Sequence, residues 1–306
     1  MGTIRRSAIS ERRTANGRLR FHSLFAIRYS LFAFVLLLSS CASTRPVVKI
    51  GLLAPFEGVY RQEGYDALAA MRAAIGEQES DGIDVLPLAI DTSRDAARAA
   101  QKMLADPSVA AVIGPYWTAE GTAVEQSVDD GKWLYPYAPS GNDNWAVEAV
   151  DAAAAFAEEE GRTLIVAGRP PGWPEMKVET GAGADDVQAG QTVLWLGDAA
   201  AGAGFALAVW ERLPGTPFGL YGAGVETFRQ RVGEQMIGAL FVVGWIDEKY
   251  PLWATSHSPN TPAAYTVYRQ TADALKRLAG ETTTTLWQPA IFILGRDGAL
   301  VLPSNR

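Results

Sequence analysis

The chain has 306 residues, of which 48% are hydrophobic and 20% are charged, with a formal net charge of −7. This balance is typical of a globular protein with one or two packed domains, and it excludes a disordered chain or one with many membrane spans. Residues 1–40 hold seven arginines and one acid, so the remainder carries 20 basic and 33 acidic side chains, a net charge of −13. Because so acidic a body repels phosphate, we expect no nucleic-acid partner.

The supply of catalytic and metal-binding side chains is small. The chain has one cysteine, Cys41, and beyond residue 40 one histidine, His257. Sites with several His or Cys ligands are thereby excluded, and Ser–His or Cys–His catalysis would have to use His257. His257 has no recognisable nucleophile partner, and the sequence contains neither a nucleophile elbow nor a phosphate-binding glycine loop. We expect no enzyme, no cofactor and no metal; the enzymatic alternative is a cell-envelope hydrolase with Glu57 and Glu120 as a carboxylate pair.

An export signal is predicted at the start of the chain. Residues 29–40 form an uncharged, mostly apolar stretch of 12 residues after several arginines. This is shorter than the roughly 20 residues that a membrane-spanning helix needs, and the order of charges and small residues is typical of a secretory signal. The residues Leu38-Ser-Ser-Cys41 also resemble the bacterial lipobox. We predict a signal peptide over residues 1–40 and a lipid anchor at Cys41 in the cell envelope; the alternative is a plain signal peptide with an incidental cysteine.

Strand and helix patterns alternate over residues 47–160. Val47–Leu53 and Val109–Ile113 are β-branched, mostly apolar runs, typical of parallel strands buried on both faces. The apolar spacing over residues 95–106 predicts an amphipathic helix. The predicted elements are strands over 47–53, 85–90, 109–113 and 133–137 and helices over 64–75, 95–106 and 145–160. Short connections between alternating elements predict a doubly wound α/β sheet.

The second half repeats this pattern less regularly. Its predicted elements are strands over 163–167, 192–196, 218–221 and 240–245, helices over 205–212, 226–236 and 263–278, and a terminal hairpin of 290–294 with 300–302. Residues 168–191 are rich in Gly, Pro and Asp and predict no regular element. We therefore expect two α/β lobes, an N-terminal lobe over 41–150, to which part of 255–306 crosses back, and a C-terminal lobe with the hinge crossings over 151–306.

Candidate binding loops follow three of the predicted strands. Open α/β sheets bind ligands beyond the carboxyl ends of their strands, which here carry residues 54–61, 114–121 and 137–143. These loops are rich in aromatic, hydroxyl and glycine residues, suited to a small polar organic molecule. Thr118 is a candidate N-cap whose helix would offer N–H groups to a carboxylate, while a helix start at Thr122 with Glu125 is the alternative. A purely structural role for Tyr116 and Trp117 also remains open.

The order and spacing of several segments resemble the Leu/Ile/Val-binding family, the type I periplasmic substrate-binding proteins of ABC transporters. The segments are Val48–Pro55, Gly64–Ile75, Asp95–Ala105 and Val109–Tyr116, with weaker likeness at 213–222, 238–243 and 264–268. The resemblance implies two Rossmann-like lobes joined by three hinge crossings, which close on a ligand and present it to a membrane permease.

The resemblance also implies roles for individual residues. Thr118 and Ala119 would hold a ligand carboxylate, and Ala138 and Ser140 would hold an ammonium group. An aromatic residue of the first loop, Phe56 or Tyr60, would cover the ligand side chain. The further aromatic candidates for the cleft are Tyr116, Trp117, Trp173 and Tyr221.

Two departures from the family pattern affect the expected ligand and fold. Many relatives place an acidic residue where this chain has Ala223, and we expect Glu226 to lie inside a helix instead. Relatives also carry a full helix where this chain has residues 169–174, so we expect a shortened second lobe. Loss of an ammonium partner in a dry cleft costs about a few kcal/mol. Either Glu57, Glu120 or Asp143 supplies the charge, or the ligand is not an α-amino acid.

The sequence as a whole predicts an exported, lipid-anchored solute-binding protein that captures a small molecule, amino-acid-like or related, for an ABC-type permease. The alternatives are a ligand-sensing module on the same scaffold, a remnant that no longer closes and, from another class, the hydrolase named above.

Overall fold

The helices and strands follow one another much as the sequence predicts. A computed structural model describes residues 45–77, 82–114, 132–135, 144–169, 178–181, 183–221, 224–236, 239–244, 261–281, 289–294 and 300–301. The helices are α1 (Arg61–Glu77), α2 (Ala96–Leu104), α3 (Asn144–Glu159), α4 (Ala199–Arg212), α5 (Val225–Val232) and α6 (Thr261–Leu278). Short 3₁₀ helices span Gly58–Tyr60, Ala184–Asp186 and Gly233–Met236.

The first sheet consists of parallel strands in the order β2-β1-β3-β4. These are β1 (Val47–Ala54), β2 (Asp84–Asp91), β3 (Val109–Ile113) and β4 (Trp133–Tyr135). Alternate residues of β1 are buried on opposite faces, Ile50 and Leu52 against α1 and α6, and Leu53 against α2. Burial on both faces explains why the sequence of β1 is an almost unbroken apolar run.

The second sheet has the order β11-β10-β9-β8-β7-β5-β6. Its strands are β5 (Thr163–Ala167), β6 (Glu179–Gly181), β7 (Gln191–Trp195), β8 (Phe218–Tyr221), β9 (Leu240–Gly244), β10 (Ala290–Leu294) and β11 (Leu300–Val301). Strands β5 to β9 pair in parallel, while β10 and β11 pair antiparallel at one edge. One face packs against α4 and α5 around Phe218 and Phe228, and the other against α3 around Phe241.

The described chain passes between the two sheets three times. It leaves the first sheet after β4, and Ala149 and Val150 of the following helix α3 pack on the second sheet. After β9, helix α6 returns to the first sheet with Val267 and Ala274, and the chain then enters β10. We call the first sheet with α1, α2 and α6 the first lobe, and the second sheet with α3, α4 and α5 the second lobe. Both lie within one compact unit, Val47–Arg306.

The predicted α/β fold of two doubly wound lobes is confirmed. Strands β3, β5, β8 and β10 have the predicted bounds, and the other predicted strands differ at their ends by one or two residues. Between β5 and β7, the described residues hold one short strand and one 3₁₀ turn; residues 170–177, on which the expected shortening of the second lobe depends, lie outside the described ranges, so that expectation stays a prediction. No helix in the described ranges combines the length and the apolar character needed to cross a bilayer.

Three elements differ from the sequence-based expectation. Helix α4 begins at Ala199 rather than at residue 205, because the Asp198 carboxylate accepts the Ala201 N–H and caps the helix six residues earlier. Strand β6 lies within the segment expected to be irregular; two of its three residues are exposed, so it has no apolar pattern. Helix α5 ends at Val232, before Gly233 with φ 62°, and a 3₁₀ turn follows.

Candidate functional site

Polar side chains join the carboxyl ends of strands from the two sheets. Tyr60, in the turn after β1, donates its hydroxyl proton to the carboxylate of Asp198, which follows β7. The same hydroxyl oxygen accepts the backbone N–H of Ala200 at 3.1 Å. Tyr60 therefore sits at the N-terminus of α4, and its ring packs against the core of the second lobe.

A second set of contacts joins α1 to the segment after β8. The Glu63 carboxylate accepts the backbone N–H of Gly224 at 2.9 Å, and the Thr227 hydroxyl donates to the carbonyl of Val59 at 3.0 Å. Glu63 is only 1% exposed. We call these residues, Tyr60, Glu63, Asp198, Gly224 and Thr227, the interlobe junction.

The turn that carries Tyr60 is held by the loop after β2. The Asp91 carboxylate accepts the backbone N–H of Phe56 at 2.7 Å and the hydroxyl of Ser93 at 2.6 Å. The Ser93 hydroxyl also contacts the backbone N–H and carbonyl of Glu57, each at 3.1 Å. Burial acts to raise the pKa of Asp91, but these hydrogen bonds outweigh it and lower that pKa. Asp91 thus stays ionised and fixes the turn.

Glu63 reaches the junction because α1 lies against the end of β1. A Cβ atom on Gly64 would meet the Pro55 carbonyl oxygen at 1.9 Å, so only glycine permits this approach. Glu63 lies on the buried face of α1, with Ala67, Ala70 and Ala74 at helical spacing. The fold therefore places a carboxyl group where the helix otherwise buries small apolar side chains.

Burial dominates the electrostatics of the junction. The pKa of Glu63 is raised from 4.5 to about 8: burial is the largest cause and the charges of Asp66 and Asp198 add to it, whereas the hydrogen bond from Gly224 acts to lower it. Burial and the hydrogen bond to Asp198 also raise the pKa of Tyr60 well above its usual value. At neutral pH Glu63 is therefore mostly protonated, and its uncharged carboxyl can donate as well as accept a hydrogen bond.

Three of the predicted ligand-binding residues lie in the described part of the chain. Tyr60 belongs to the interlobe junction. Phe56 packs in the core of the first lobe, with its ring edge-on to Tyr65 at 5.5 Å between centroids. Tyr221, the last residue of β8, packs on the face of the second sheet that carries α3. These three side chains pack in three different clusters, and of the three only Tyr60 makes one of the described hydrogen bonds between the lobes.

The other predicted site residues fall outside the described ranges. They are Cys41, Tyr116, Trp117, Thr118, Ala119, Ala138, Ser140 and Trp173, together with Glu120, Thr122, Glu125, Asp143, Ala223 and His257. Their roles remain predictions from the sequence.

Two acids considered as replacements for the absent family acid lie elsewhere. Glu57 is exposed and pairs with Arg94 at 3.1 Å, so the geometry does not favour it as the buried partner of a cation. Glu226 lies inside α5, as expected, and its two oxygens bind the Arg229 guanidinium at 2.7 and 2.8 Å. Among the described carboxyl groups, those that bond across the junction are Glu63 and Asp198.

Sequence reasoning missed Glu63, Asp198 and Thr227. The signal for Glu63 was a charged residue on the apolar stripe of a helix, which marks either a paired or a functional group. The signal for Asp198 was its place directly before an alanine-rich run, where it is a good N-cap. Thr227 has no local signal, since its contact to Val59 joins positions 168 residues apart. Within the described ranges, no three His, Cys, Asp or Glu side chains are placed to hold a metal ion.

Comparison with known proteins agrees with this architecture. Residues 47–158 match a family model described as periplasmic binding protein. The branched-chain amino acid transporter substrate-binding protein LivJ from Streptococcus pneumoniae, solved with isoleucine, superposes with a TM-score of 0.58 at 13% identity, covering 84% of this chain and 100% of that one. A possible leucine/isoleucine/valine-binding protein from Rhodopirellula baltica gives a TM-score of 0.60 at 14% identity, with 85% and 98% covered.

A third similar structure was solved with a different kind of ligand. It is a solute-binding protein of an ABC transporter from R. palustris in complex with 4-hydroxybenzoate, with a TM-score of 0.59 at 13% identity, covering 84% of this chain and 95% of that one. None of the curated protein sequences compared with the chain matches it. At these identities the structural likeness establishes the fold, and the family match covers residues 47–158.

Proposed function

We propose that the chain, whose residues 47–158 match the periplasmic binding protein family and whose fold is that of the type I members, is the solute-binding component of an ABC importer and takes up a small polar organic molecule between its two lobes. Proteins of this family are extracytoplasmic, bind small ligands and deliver them to ABC permeases. The observation that carries the proposal is the interlobe junction, where the carboxyl ends of β1, β7 and β8 from two sheets meet. In open α/β sheets, ligands bind at such strand ends.

Binding acts through closure of the lobes. A solute that touches both lobes stabilises the closed form only by contacts that the open form lacks. Tyr60 is suited to this role, because it extends from the first lobe to the N-terminus of α4 in the second. The proposed ligand contacts are Phe56, Tyr60 and Tyr221 with Tyr116, Trp117, Thr118, Ala119, Ala138, Ser140 and Trp173.

The charge state of the junction bears on the ligand class. A mostly protonated Glu63 offers a ligand ammonium group little negative charge, whereas it can exchange hydrogen bonds with a neutral or acidic polar group. Because the other junction acid, Asp198, is engaged by the Tyr60 hydroxyl and the Ala201 N–H, we expect an amino-acid-like ligand in which a carboxylate or amide, rather than an ammonium group, is the dominant feature. The same fold holds isoleucine in one similar structure and 4-hydroxybenzoate in another, so the fold itself does not limit this choice.

The second part of the proposal concerns attachment to the membrane. Residues 1–40 would direct export, and acylation of Cys41 would anchor the protein near its permease. Two or three acyl chains make such anchoring lasting, while one does not. Replacement of Cys41 by Ala is expected to abolish incorporation of labelled palmitate and to move the protein from the membrane to the soluble fraction. Unchanged labelling in this variant would contradict the anchor.

A thermal-shift screen of amino acids, amides, short peptides and aromatic acids tests the binding function. At least one class is expected to raise Tm, with a change in tryptophan fluorescence on closure. Thr118→Ala is expected to weaken binding of that compound about tenfold, the cost of roughly one charge-assisted hydrogen bond. The matched control Thr122→Ala, at the alternative helix start, is expected to leave affinity unchanged. Consumption of the compound would instead identify a hydrolase.

A ligand-sensing or degenerate module of the same fold is the second candidate. The observation that favours it is that Tyr60 and Glu63 bond directly to the opposite lobe, so that some polar atoms of the gap are already engaged. No Tm shift with any compound would support a remnant. A Tm shift without stimulation of transport by membrane vesicles containing the cognate permease would support a sensor.

A further inference from the structure

We propose that the interlobe junction is a latch, and that its closure takes up one proton on Glu63. The latch would hold the two lobes together with the protein's own side chains and would make that hold depend on pH. This inference deepens the proposed function and rests on it, since it assigns a regulation to the same gap in which the solute would bind.

The geometry of the contacts argues for a latch. The bonds of Tyr60 to Asp198, of Glu63 to Gly224 and of Thr227 to Val59 join positions 138, 161 and 168 residues apart, always one from each lobe. They engage the turn after β1, the helix α1 and the starts of α4 and α5. Because all three contacts join the first lobe to the starts of α4 and α5 in the second, moving the lobes apart would break them together.

Opening would change the surroundings of Glu63 more than those of the other residues. Its side chain is 1% exposed in the junction, covered by the second lobe around Gly224 and Thr227. Separation of the lobes would let water reach the carboxyl group. An ionised carboxylate gains far more from water than a protonated one, so opening favours the ionised form.

The groups that face Glu63 reinforce this preference. Asp66 on α1 and Asp198 at the start of α4 both disfavour a negative charge on Glu63. The turn before α1 contributes the Tyr60 hydroxyl, and α5 contributes the uncharged Thr227 and the backbone N–H of Gly224. The charged residues Glu226 and Arg229 of α5 bind each other. Burial and these acids together raise the pKa of Glu63 from 4.5 to about 8 in the closed arrangement.

The direction of the pH dependence follows from this difference between the two forms. In the open form Glu63 would titrate near its ordinary value of 4.5, and in the closed form near 8. Closure is therefore most favoured below pH 4.5, weakens by about tenfold per pH unit between these two values and stays constant above the higher one. At neutral pH each closing event takes a proton from solvent, so acidification strengthens the latch.

Distance measurements between spin labels test the latch without a ligand. Labels at Lys102→Cys on α2 and Glu211→Cys on α4, both exposed positions in different lobes, report the closed and open populations in the full chain with Cys41→Ser. The closed-to-open ratio is expected to fall about tenfold per unit as pH rises within this window. Glu63→Gln, which mimics the protonated form, is expected to abolish this fall. The control Asp185→Asn removes a charge from a fully exposed acid of the second lobe and is expected to behave as the parent protein.

Three results would overturn the latch: a ratio that is constant over this pH range in the parent protein, a pH response of Glu63→Gln equal to that of the parent, or a Tyr60→Phe variant that matches the parent. The last variant keeps Glu63 and serves if Glu63→Gln does not fold. Loss of the Tyr60 hydroxyl is expected to lower the closed-to-open ratio about fivefold at each pH while keeping its slope.

The same labelled protein separates failure of the latch from failure of the proposed function. A pH-dependent ratio with no compound of the screen changing the distances would leave the latch standing and contradict solute binding. If a compound closes the lobes but the closed-to-open ratio does not change with pH, the latch is contradicted and solute binding is not.

Discussion

Two acidic residues at opposite ends of the first sheet, Glu63 and Asp106, are held in opposite ways. At the carboxyl end, Glu63 is buried and bonds across the junction to the second lobe. At the amino end, Asp106 accepts hydrogen bonds from Lys49 at 2.7 Å and from Ser108 at 2.6 Å, all within the first lobe and partly open to water. Lys132 joins this group by donating to the Asp106 carbonyl at 2.8 Å.

The contacts of Asp106 and of Glu63 have different structural roles. Hydrogen bonds from Lys49 and Ser108 lower the pKa of Asp106, whereas burial raises that of Glu63. The cluster around Asp106 is charged, partly solvated and confined to the first lobe, so it fixes the strand starts independently of where the second lobe lies. The contact of Glu63 with Gly224 is neutral and buried, and it depends on where the second lobe lies. Asp91 at the carboxyl end is also kept ionised by hydrogen bonds within the first lobe, so the neutral state belongs to Glu63, which contacts the second lobe.

The largest effect is expected from filling the space between α1 and β1. Gly64→Ala would place a Cβ against the Pro55 carbonyl, which we expect to lower the free energy of unfolding by about 3 kcal/mol or more. The control is Gly76→Ala in the same helix, where a Cβ meets nothing within 4 Å and a gain of about 0.5–1 kcal/mol is expected. Urea unfolding measures both. Equal effects of the two substitutions would show that α1 does not lie against Pro55.

A smaller effect, confined to a pH window, is expected from Glu63→Gln. A raised pKa means that wild-type stability is greatest below pH 4.5 and declines up to about pH 8. The variant lacks this decline, so it should gain stability relative to the wild type as pH rises, by about 1.4 kcal/mol per pH unit within the window. Chemical unfolding at several pH values gives the difference. A difference that is constant with pH would mean that the pKa of Glu63 is not raised in the folded protein.

A third comparison uses two helix N-caps. Asp198 caps α4 and also binds Tyr60, while Asp95 caps α2 by accepting the Arg98 N–H at 2.9 Å. Asp95→Ala is expected to cost about 1 kcal/mol, and Asp198→Ala about 1 kcal/mol more because it also removes the Tyr60 contact. In a Tyr60→Phe background the two costs should become equal. An excess that persists there would show that Asp198 does not act through Tyr60.

The smallest effect is expected at the amino end of the sheet. Lys49→Met removes the partner of Asp106 at a partly exposed site, where ion pairs contribute little. We expect a slight loss of stability that salt reduces further, and no change in the closed-to-open ratio of the lobes. A change in lobe closure on this substitution would remove the distinction between the two ends.

The sequence predicts the strands and helices better than it predicts the interlobe junction. Strands such as Val109–Ile113 are buried on both faces, so their apolar runs alone identify them. Strand β6 pairs at a sheet edge with exposed residues, and its short polar sequence carries no such signal. Helix α4 was predicted too short, because the early start depends on the single capping carboxylate of Asp198.

The junction depends on contacts between residues far apart in the chain. The loop after β1 and Tyr60 could be identified from the sequence, because strand ends mark binding loops in such sheets. Glu63 could not be assigned, since only the position of Gly224 shows what its carboxyl meets. The protonation state of Glu63 also depends on burial by the second lobe, which no local sequence pattern encodes.

A crystal structure of the protein with the best compound from the screen would show directly where the solute binds. We expect the solute to lie between residues 56–60 of the first lobe and the segments at 197–200 or 221–227 of the second, touching both. A solute bound to one lobe only, or at a site away from these strand ends, would contradict this expectation.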